Sequence, residues 1–326
     1  MRTLKPLISV IIPVFNKASF LPFALDSVRK QTFRDFEVIV VDDASTDNSI
    51  ECLPQFSSLD ILLLRRARPG PGGYAARNLA VTHAKGSWIS FLDADDLWMP
   101  NHLSVVVESI FMDQGVTFIC TGFLEKKYNS VKRIVHYRDT LFSASTFLGL
   151  YSKSDIIHTN SMTIRRDDFL KTGGFPEKNV KRGGDHMLWL KLVLLGNPIL
   201  LLSTITTCYQ TEHSGVVSNP QFMQDEHPVV YVVRMALSGE LLIPDTWGRV
   251  EKIHLKNFAN RKTLLWMAQK KRSGILLWTD YKLPFPFVSS PLNILRWFVI
   301  VLSPGIVLKV LTRCKGFLTS CAKKLN

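Results

Sequence analysis

Two groups of acidic residues stand directly after apolar runs of the sequence. Asp42 and Asp43 follow the run EVIVV, and Asp93, Asp95 and Asp96 follow the run WISFL. Adjacent carboxylates repel one another, which costs stability unless a cation or a hydrogen-bond donor binds among them. The pattern indicates that a cation or a hydrogen-bond donor binds at these positions, although a single acid in a turn can simply cap a helix.

The apolar runs predict β-strands that alternate with amphipathic helices. The predicted strands cover residues 9–14, 37–41, 61–64, 87–92 and 116–121, and the predicted helices cover 18–31, 46–56, 74–84 and 100–114. A strand, a helix and a second strand form a right-handed crossover, so the sheet is expected to be parallel. Ligands bind at the carboxyl edge of such a sheet, and both acidic groups are expected at that edge.

The overall composition is that of a globular protein from a reducing compartment. Hydrophobic residues make up 46% of the 326 residues and charged residues 21%, which excludes an intrinsically disordered chain. The five cysteines are scattered and form no C-x-x-C pair, so neither a zinc site nor a redox motif is predicted. These features favour a cytoplasmic location.

The net charge is concentrated at the carboxyl end of the chain. Residues 1–245 hold 25 basic and 25 acidic side chains, whereas residues 246–326 hold 15 and 2, which accounts for the whole net charge of +13. Within this part, the uncharged run WFVIVLSPGIVL at 297–308 would reach about 18 Å as a helix, short of the roughly 30 Å of a bilayer core. We therefore expect residues 291–313 to lie at an anionic membrane surface. A buried core helix is the alternative, and nucleic-acid binding is disfavoured.

Two long segments of the sequence resemble a known family. SVIIPVFNKASFLPFALDSVRKQTFRDFEVIVVDDASTDNS at 9–49 and GGYAARNLAVTHAKGSWISFLDADDLWMP at 72–100 closely resemble the nucleotide-binding half of glycosyltransferase family 2. The resemblance implies an α/β protein of the GT-A fold, with a Rossmann-like, mainly parallel sheet flanked by helices. It implies a domain at 1–220, with a nucleotide-binding half at about 7–121 and an acceptor half at about 122–220. Residues 221–326 are expected to form a basic, largely helical, membrane-associating extension.

The resemblance also assigns binding roles to residues of the first half. In relatives the second acid of the VDD turn, here Asp43, accepts hydrogen bonds from the nucleotide base, commonly uracil, and the D-x-D element, here Asp93 and Asp95, holds Mn²⁺ or Mg²⁺. His213 is a weaker candidate metal ligand, because relatives often have Tyr-Arg-x-His where this chain has YQTEH. Arg77 could instead serve structure alone, by pairing with an acid. The predicted nucleotide-binding residues are Pro13, Val14, Asn16, Asp42, Asp43, Arg77, Asp93 and Ala94.

One acid of the second half is the predicted catalytic base. The run RGGDHMLWLKL at 182–192 resembles the acceptor half of the family, in which Glu-Asp precedes a helix and the Asp acts as general base. This chain has Gly184 and Asp185 there, so it lacks the first acid and keeps the second. The dipole of a helix favours an ionised carboxylate at its amino end. The alternative is that Asp185 only caps the helix.

The activity implied by the resemblance is inverting transfer of a hexosyl or N-acetylhexosaminyl group from a nucleotide sugar. The expected donor is a UDP-sugar, and the expected acceptor is a saccharide or lipid-linked saccharide of bacterial surface polysaccharide or lipopolysaccharide synthesis. The basic tail places the enzyme on the inner face of the cell membrane as a peripheral protein. A nucleotidyltransferase is the alternative enzyme, but PVFN at 13–16 is not a glycine-rich triphosphate loop. An inactive nucleotide-binding partner is disfavoured because the D-x-D element and the base are both present.

Overall fold

The computed structural model describes residues 5–112, 115–128, 130–211, 222–276, 282–285 and 291–302. The strands are β1 (Ile8–Val14), β2 (Phe36–Asp42), β3 (Ile61–Arg65), β4 (Trp88–Phe91), β5 (Leu97–Trp98), β6 (Phe118–Lys127), β7 (Ser130–Val135), β8 (Thr140–Phe142), β9 (Met162–Arg165) and β10 (Ile199–Gln210). The helices are α1 (Leu21–Arg29), α2 (Tyr74–His83), α3 (His102–Met112), α4 (Ala144–Tyr151), α5 (Arg166–Lys171), α6 (Gly184–Leu194), α7 (Val229–Ser238), α8 (Arg249–Arg272) and α9 (Pro291–Leu302).

The described strands form one mixed sheet in the order β3-β2-β1-β4-β9-β6-β10-β5, with β7 beside β6 and β8 beside β10. Strands β3, β2, β1 and β4 are parallel to one another, as the crossover argument predicts. Strand β9 runs antiparallel between β4 and β6, while β6 and β10 are again parallel. The predicted α/β class with a mainly parallel sheet flanked by helices is confirmed.

The sheet is covered by helices on both faces, which explains its continuous apolar strands. Along β1 and β2, one set of side chains packs with α2, α4 and α6 on one face, and the alternate set packs with α1 and α3 on the other. Ile11 and Ile39 belong to the first set, and Val10 and Val38 to the second. All four are fully buried, as expected of central strands.

Two predicted elements differ from the observed ones. The helix predicted at 46–56 is a 3₁₀ helix over Ser49–Phe56 with Pro54 inside it. Proline has no N–H for the i→i−4 hydrogen bond, so an α-helix is disfavoured there. The strand predicted to end at residue 121 continues to Lys127, because β6 pairs with β7 in a hairpin beyond its pairing with β9.

Helices α7 and α8 pack on the same core as the sheet. Val229 and Val233 of α7 and Phe258 of α8 are buried against residues of α4 and α6. The predicted boundary at residue 220 lies outside the described residues, and the division into a domain and an extension stays a prediction. Helix α9 packs on α8 through Ile300, which contacts the cluster of Leu264 and Met267. None of the described helices is both long enough and apolar enough to cross a membrane.

Candidate active site

A cavity of about 1370 Å³ opens at the carboxyl ends of β1, β2 and β4 and extends to the amino end of α6 and the side of α8. It brings together most of the predicted site residues: Pro13, Val14, Asn16, Asp43, Arg77, Asp93, Ala94, Asp95 and Asp185. Asp42 is not in the lining, because its carboxylate accepts the Ser45 N–H at 2.9 Å and closes the turn. His213 lies outside the described residues.

Asp43 is fixed at the end of β2 by both its backbone and its side chain. Its N–H donates to the Val14 carbonyl at 2.7 Å, which ties the ends of β1 and β2 together. Its carboxylate forms an ion pair with Arg66 and accepts the Gly70 N–H at 3.0 Å. Each carboxylate oxygen has a second lone pair, so Asp43 can still accept a hydrogen bond from a ligand. The cation Arg66 escaped prediction because it lies 23 residues away in sequence.

Arg77 joins the D-x-D element to the glycine-rich loop that precedes α2. Its guanidinium pairs with Asp93 and donates to the Gly72 carbonyl at 3.0 Å. Gly72 has a φ of +63°, and a Cβ there would lie 2.7 Å from the Tyr74 ring, so only glycine fits. Burial tends to raise the pKa of Asp93, but the charge and hydrogen bond of Arg77 outweigh it and lower that pKa. Arg77 therefore holds an ionised Asp93 at the cavity wall.

Asp95 and Asp96 have different surroundings although they are adjacent. The Asp95 carboxylate lines the cavity and accepts the Lys17 ammonium at 2.6 Å. Burial raises the pKa of Asp95, and the nearby Asp93 adds to the rise, while Lys17 opposes it. Asp96 turns away, accepting the Gln210 N–H and the Asn160 Nδ2 group, both at 2.8 Å. Asp96 thus fixes the turn, and Asp95 faces the ligand space.

The donor set fits a divalent ion that is only partly held by protein. Among the described residues no cluster of three or more His, Cys, Asp or Glu side chains could enclose a metal. Asp93 and Asp95 supply hard oxygen ligands on the cavity wall, which suit Mg²⁺ or Mn²⁺ when phosphate oxygens and waters complete the coordination shell. Lys17 forms an ion pair with Asp95, and Arg77 forms one with Asp93, so each carboxylate has a cationic partner in the protein.

Asp185 lies in the first turn of α6, which begins after Gly183 in a left-handed conformation with a φ of +80°. The adjacent Gly184 N–H donates to the Tyr74 hydroxyl at 2.9 Å, which links α6 to α2 across the cavity. Among the residues that the structure describes, five acids line the cavity, and four of them form ion pairs: Asp43, Asp93, Asp95 and Asp155. Within the described part of the chain, Asp185 has no ion-pair partner. Burial raises its pKa, which increases its basicity.

Comparison with known proteins establishes the family. The family model for glycosyl transferase family 2 matches residues 9–171, which is half of the chain. The chain belongs to glycosyl transferase family 2. It is a glycosyltransferase, and the predicted family and enzyme class are confirmed.

This glycosyltransferase is similar to bacterial enzymes of cell-surface polymers. It is 27% identical over 222 residues to the putative teichuronic acid biosynthesis glycosyltransferase TuaG of Bacillus subtilis, covering 67% of this chain and 84% of TuaG. It is 28% identical over 268 residues to the poly(ribitol-phosphate) beta-N-acetylglucosaminyltransferase TarS of Staphylococcus aureus, covering 78% of this chain but only 44% of TarS. The chain therefore spans less than half the length of TarS.

Solved structures share the fold of this glycosyltransferase. TarS residues 1–349 in complex with UDP superpose with a TM-score of 0.66 at 22% identity, covering 84% of this chain and 77% of that one. The mannosyltransferase PcManGT of Pyrobaculum calidifontis, in complex with GDP-Man and Mn²⁺, gives a TM-score of 0.56 at 20% identity and covers 99% of this chain and 87% of that one. These similarities confirm the predicted GT-A fold.

The far wall of the cavity in this glycosyltransferase comes from residues that the sequence patterns did not single out. The side chain of Lys262 on α8 reaches the lining and donates to Asp155 at 2.6 Å and to His186 Nε2 at 2.7 Å. Because Nε2 of His186 accepts, its Nδ1 carries the proton and donates to the Tyr151 hydroxyl. Burial lowers the pKa of Lys262 to about 8 and holds the pKa of His186 well below its usual range.

A second cation, Arg182, lies beside this group. Its Nη2 donates to the Gln269 side chain at 2.8 Å, and its guanidinium stacks 5.5 Å from the centre of the Trp266 ring. Both partners are on α8, and each lies more than 80 residues further along the chain than Arg182. Arg182 stands inside the RGGDH run that marks the base, and this position was the only sequence signal for it. Lys262 had none, since Lys and Arg are frequent throughout α8.

Proposed function

We propose that this glycosyltransferase moves a sugar from a UDP-sugar to an acceptor hydroxyl with inversion at the anomeric carbon. The observation that carries the proposal is the placement of Asp43, the Asp93–Asp95 pair and the unpaired Asp185 on the walls of one cavity. Asp43 suits the imide N–H of uracil, since a carboxylate is a strong acceptor. The donor assignment is further supported by the complexes of TarS with UDP and with UDP-GlcNAc.

The reaction is a single in-line displacement. The acceptor oxygen forms a bond to the anomeric carbon as the bond from that carbon to the diphosphate oxygen breaks. The acceptor proton passes to the Asp185 carboxylate, and the electron pair of the broken bond stays on UDP. A divalent ion on Asp93 and Asp95 would supply positive charge for the departing diphosphate. Arg77 orients Asp93, and the Tyr74 hydroxyl fixes the backbone at the start of α6 beside the base.

We further propose that the acceptor is a lipid-linked or other saccharide of a bacterial surface polymer, such as lipopolysaccharide, and that the enzyme lies peripherally on the cytoplasmic face of the membrane. By name, the relative TuaG is a putative glycosyltransferase of teichuronic acid biosynthesis and the relative TarS is a poly(ribitol-phosphate) beta-N-acetylglucosaminyltransferase. Helix α9 leaves the apolar side chains of Ile294, Leu295 and Phe298 exposed, in the part of the chain that carries the excess positive charge. Such a surface suits an anionic leaflet.

Calorimetric titration with UDP tests the donor site and its metal. We expect binding that requires Mn²⁺ or Mg²⁺, and we expect Asp95→Asn to weaken it by at least about tenfold, because a carboxylate ligand is lost. Asp26→Asn is the matched control, since Asp26 forms ion pairs on the surface of α1 outside the cavity. Equal UDP affinity in chelator and in metal would contradict the metal assignment. Absence of UDP binding to the wild type under all conditions would contradict the donor assignment.

A further inference from the structure

The wall of the cavity formed by α8 has more positive than negative charge. Asp155 is the one carboxylate shared by Arg261 and Lys262, at 2.8 and 2.6 Å, and the side chains of both cations are at most 4% exposed. Arg261 also donates to the carbonyls of Tyr151 and Ser152, which holds it away from the cavity. Lys262 uses two of its three N–H donors on Asp155 and His186 and lines the cavity. A buried positive charge therefore remains on this wall.

Arg182 adds a donor that no described residue satisfies. Its Nη1 is buried from solvent and has no hydrogen-bond partner among the residues that the structure describes. No acid within the described ranges forms an ion pair with it; its one described side-chain hydrogen-bond acceptor is the neutral Gln269. Leaving a buried charged donor unpaired is costly, so such groups in native proteins usually await a ligand, an ion or water.

These cations stand on the same side of the cavity as the proposed base. Arg182 precedes Asp185 by three residues, and both Arg182 and Lys262 are close enough to act electrostatically on Asp185. The cations of the donor side, Lys17 and Arg77, form ion pairs with Asp95 and Asp93, and Arg77 also acts electrostatically on Asp185. The unmatched positive charge thus lies where the molecule that gives its proton to Asp185 must bind.

We infer that the acceptor carries an anionic oxygen group, a phosphate or a carboxylate, next to the hydroxyl that receives the sugar, and that Arg182 and Lys262 bind this group. The inference rests on the proposed function of the cavity. A guanidinium presents a planar pair of donors that matches both groups, and the ammonium supplies a second positive charge. A neutral saccharide would bury Arg182 Nη1 without a charged partner, at a cost in affinity.

Calorimetry with small probes tests the subsite separately from turnover. With the donor site filled by UDP and Mg²⁺, the protein is titrated with glycerol 3-phosphate, with glucuronate and with glucose. We expect one of the two anions to bind at least about tenfold more tightly than glucose, and Arg182→Gln to remove this preference, because charge-assisted hydrogen bonds are lost. Comparison of the titrations with glycerol 3-phosphate and with glucuronate shows whether the site prefers a phosphate or a carboxylate. Arg234→Gln is the matched control, since Arg234 is exposed and paired with Glu226.

Two further measurements keep failure of this inference distinct from failure of the proposed function. UDP affinity of Arg182→Gln should equal that of the wild type, which shows a folded donor site. Arg182→Lys keeps the positive charge but not the planar pair of donors, so it should bind the anion with an intermediate affinity. This variant still tests the inference if Arg182→Gln does not fold. Equal binding of anions and glucose by the wild type, or equal anion binding by all variants, overturns the inference. If the wild type does not bind UDP, the proposed function fails, and the anion titrations without UDP still decide on the subsite.

Discussion

At the scale of residues, the carboxylates that line the cavity differ in pKa because their neighbours differ. Arg77 lowers the pKa of Asp93 against the effect of burial, so Asp93 remains ionised as a metal ligand requires. Burial raises the pKa of Asp185, which is not neutralised by an ion pair among the described residues. A carboxylate of raised pKa is a better proton acceptor near neutral pH. The same residue type can thus bind a metal at one position and accept a proton at the other.

The lowered pKa of Lys262 predicts a pH dependence of anion binding. Its pKa of about 8 means that Lys262 is charged below pH 8 and becomes neutral as the pH rises through that value. We therefore expect the dissociation constant of the preferred anion to increase progressively between pH 8 and about 9.5. In Lys262→Arg the guanidinium stays charged, so the increase should disappear. Calorimetry across this pH range measures the dissociation constant of the anion for the wild type and for Lys262→Arg. The same pH dependence in the two proteins would contradict the role of Lys262.

The sequence revealed the acids of the site but not their partners. Asp43, Asp93 and Asp95 could be predicted because each follows an apolar strand, and the carboxyl ends of parallel strands meet at one edge. Lys17 pairs with Asp95 from 78 residues away, and Lys262 reaches Asp155 from 107 residues away. Such pairs depend on how helices and loops pack in three dimensions, and local patterns carry no trace of them. Asp42 looked equivalent to Asp43, but the Asp42 carboxylate accepts the Ser45 N–H and closes the turn instead of lining the cavity.

At the scale of elements, hydrophobic periodicity was sufficient to predict the secondary structure only where strands and helices alternate along the chain. Strands β1, β2 and β4 are buried on both faces, and their apolar runs are distinct from the amphipathic helices between them. Beyond residue 121 the order changes, because the β6–β7 hairpin and the antiparallel β9 interrupt the alternation. The sequence did not predict that helix α8 lines the site, because its apolar and charged residues do not fall on separate faces. The helix packs on the core and on α9, and it also lines the cavity.

Helix α9 is predicted to hold the protein on anionic membranes. Leu295 is 60% exposed on this helix, beside Ile294 and Phe298. We expect Leu295→Asp to reduce flotation with phosphatidylglycerol vesicles, because a charge replaces an apolar side chain that would enter the interface. Leu242→Asp is the matched control, since Leu242 is an exposed leucine in the segment between α7 and α8.

Lipid and salt dependence separate this membrane association from non-specific adhesion. Wild-type flotation should be weak with phosphatidylcholine alone and should fall as salt rises, because salt screens exposed charges over about 8 Å at physiological ionic strength. Flotation that is equal on neutral vesicles, or equal reductions by Leu295→Asp and Leu242→Asp, would contradict a specific role of α9.

At the scale of the whole molecule, one helix connects the proposed acceptor wall to the proposed membrane surface. Helix α8 presents Lys262 to the cavity, packs Phe258 on the core and contacts Ile300 of α9 through Leu264 and Met267. A membrane-bound α9 would therefore hold the acceptor side of the cavity at a fixed distance from the bilayer. This arrangement suits an acceptor attached to a lipid, whose anionic group and hydroxyl must enter the cavity together.

The central claim is that Asp185 is the base that activates the acceptor. It is tested most directly by Asp185→Asn, measured by mass spectrometry of the product from the UDP-sugar and acceptor that the wild type uses best. Asp185 is the second residue of α6, whose N-cap is Gly183, so Asp185→Asn removes only the interaction of the charge with the helix dipole, roughly 0.3–1 kcal/mol. The unfolding midpoint should therefore change little, and the UDP affinity should be unchanged. Loss of the base should lower the rate at saturating substrates by about 10² to 10⁴. A variant that retains more than about a tenth of the wild-type rate would contradict the claim and leave Asp185 with only a structural role in the first turn of α6.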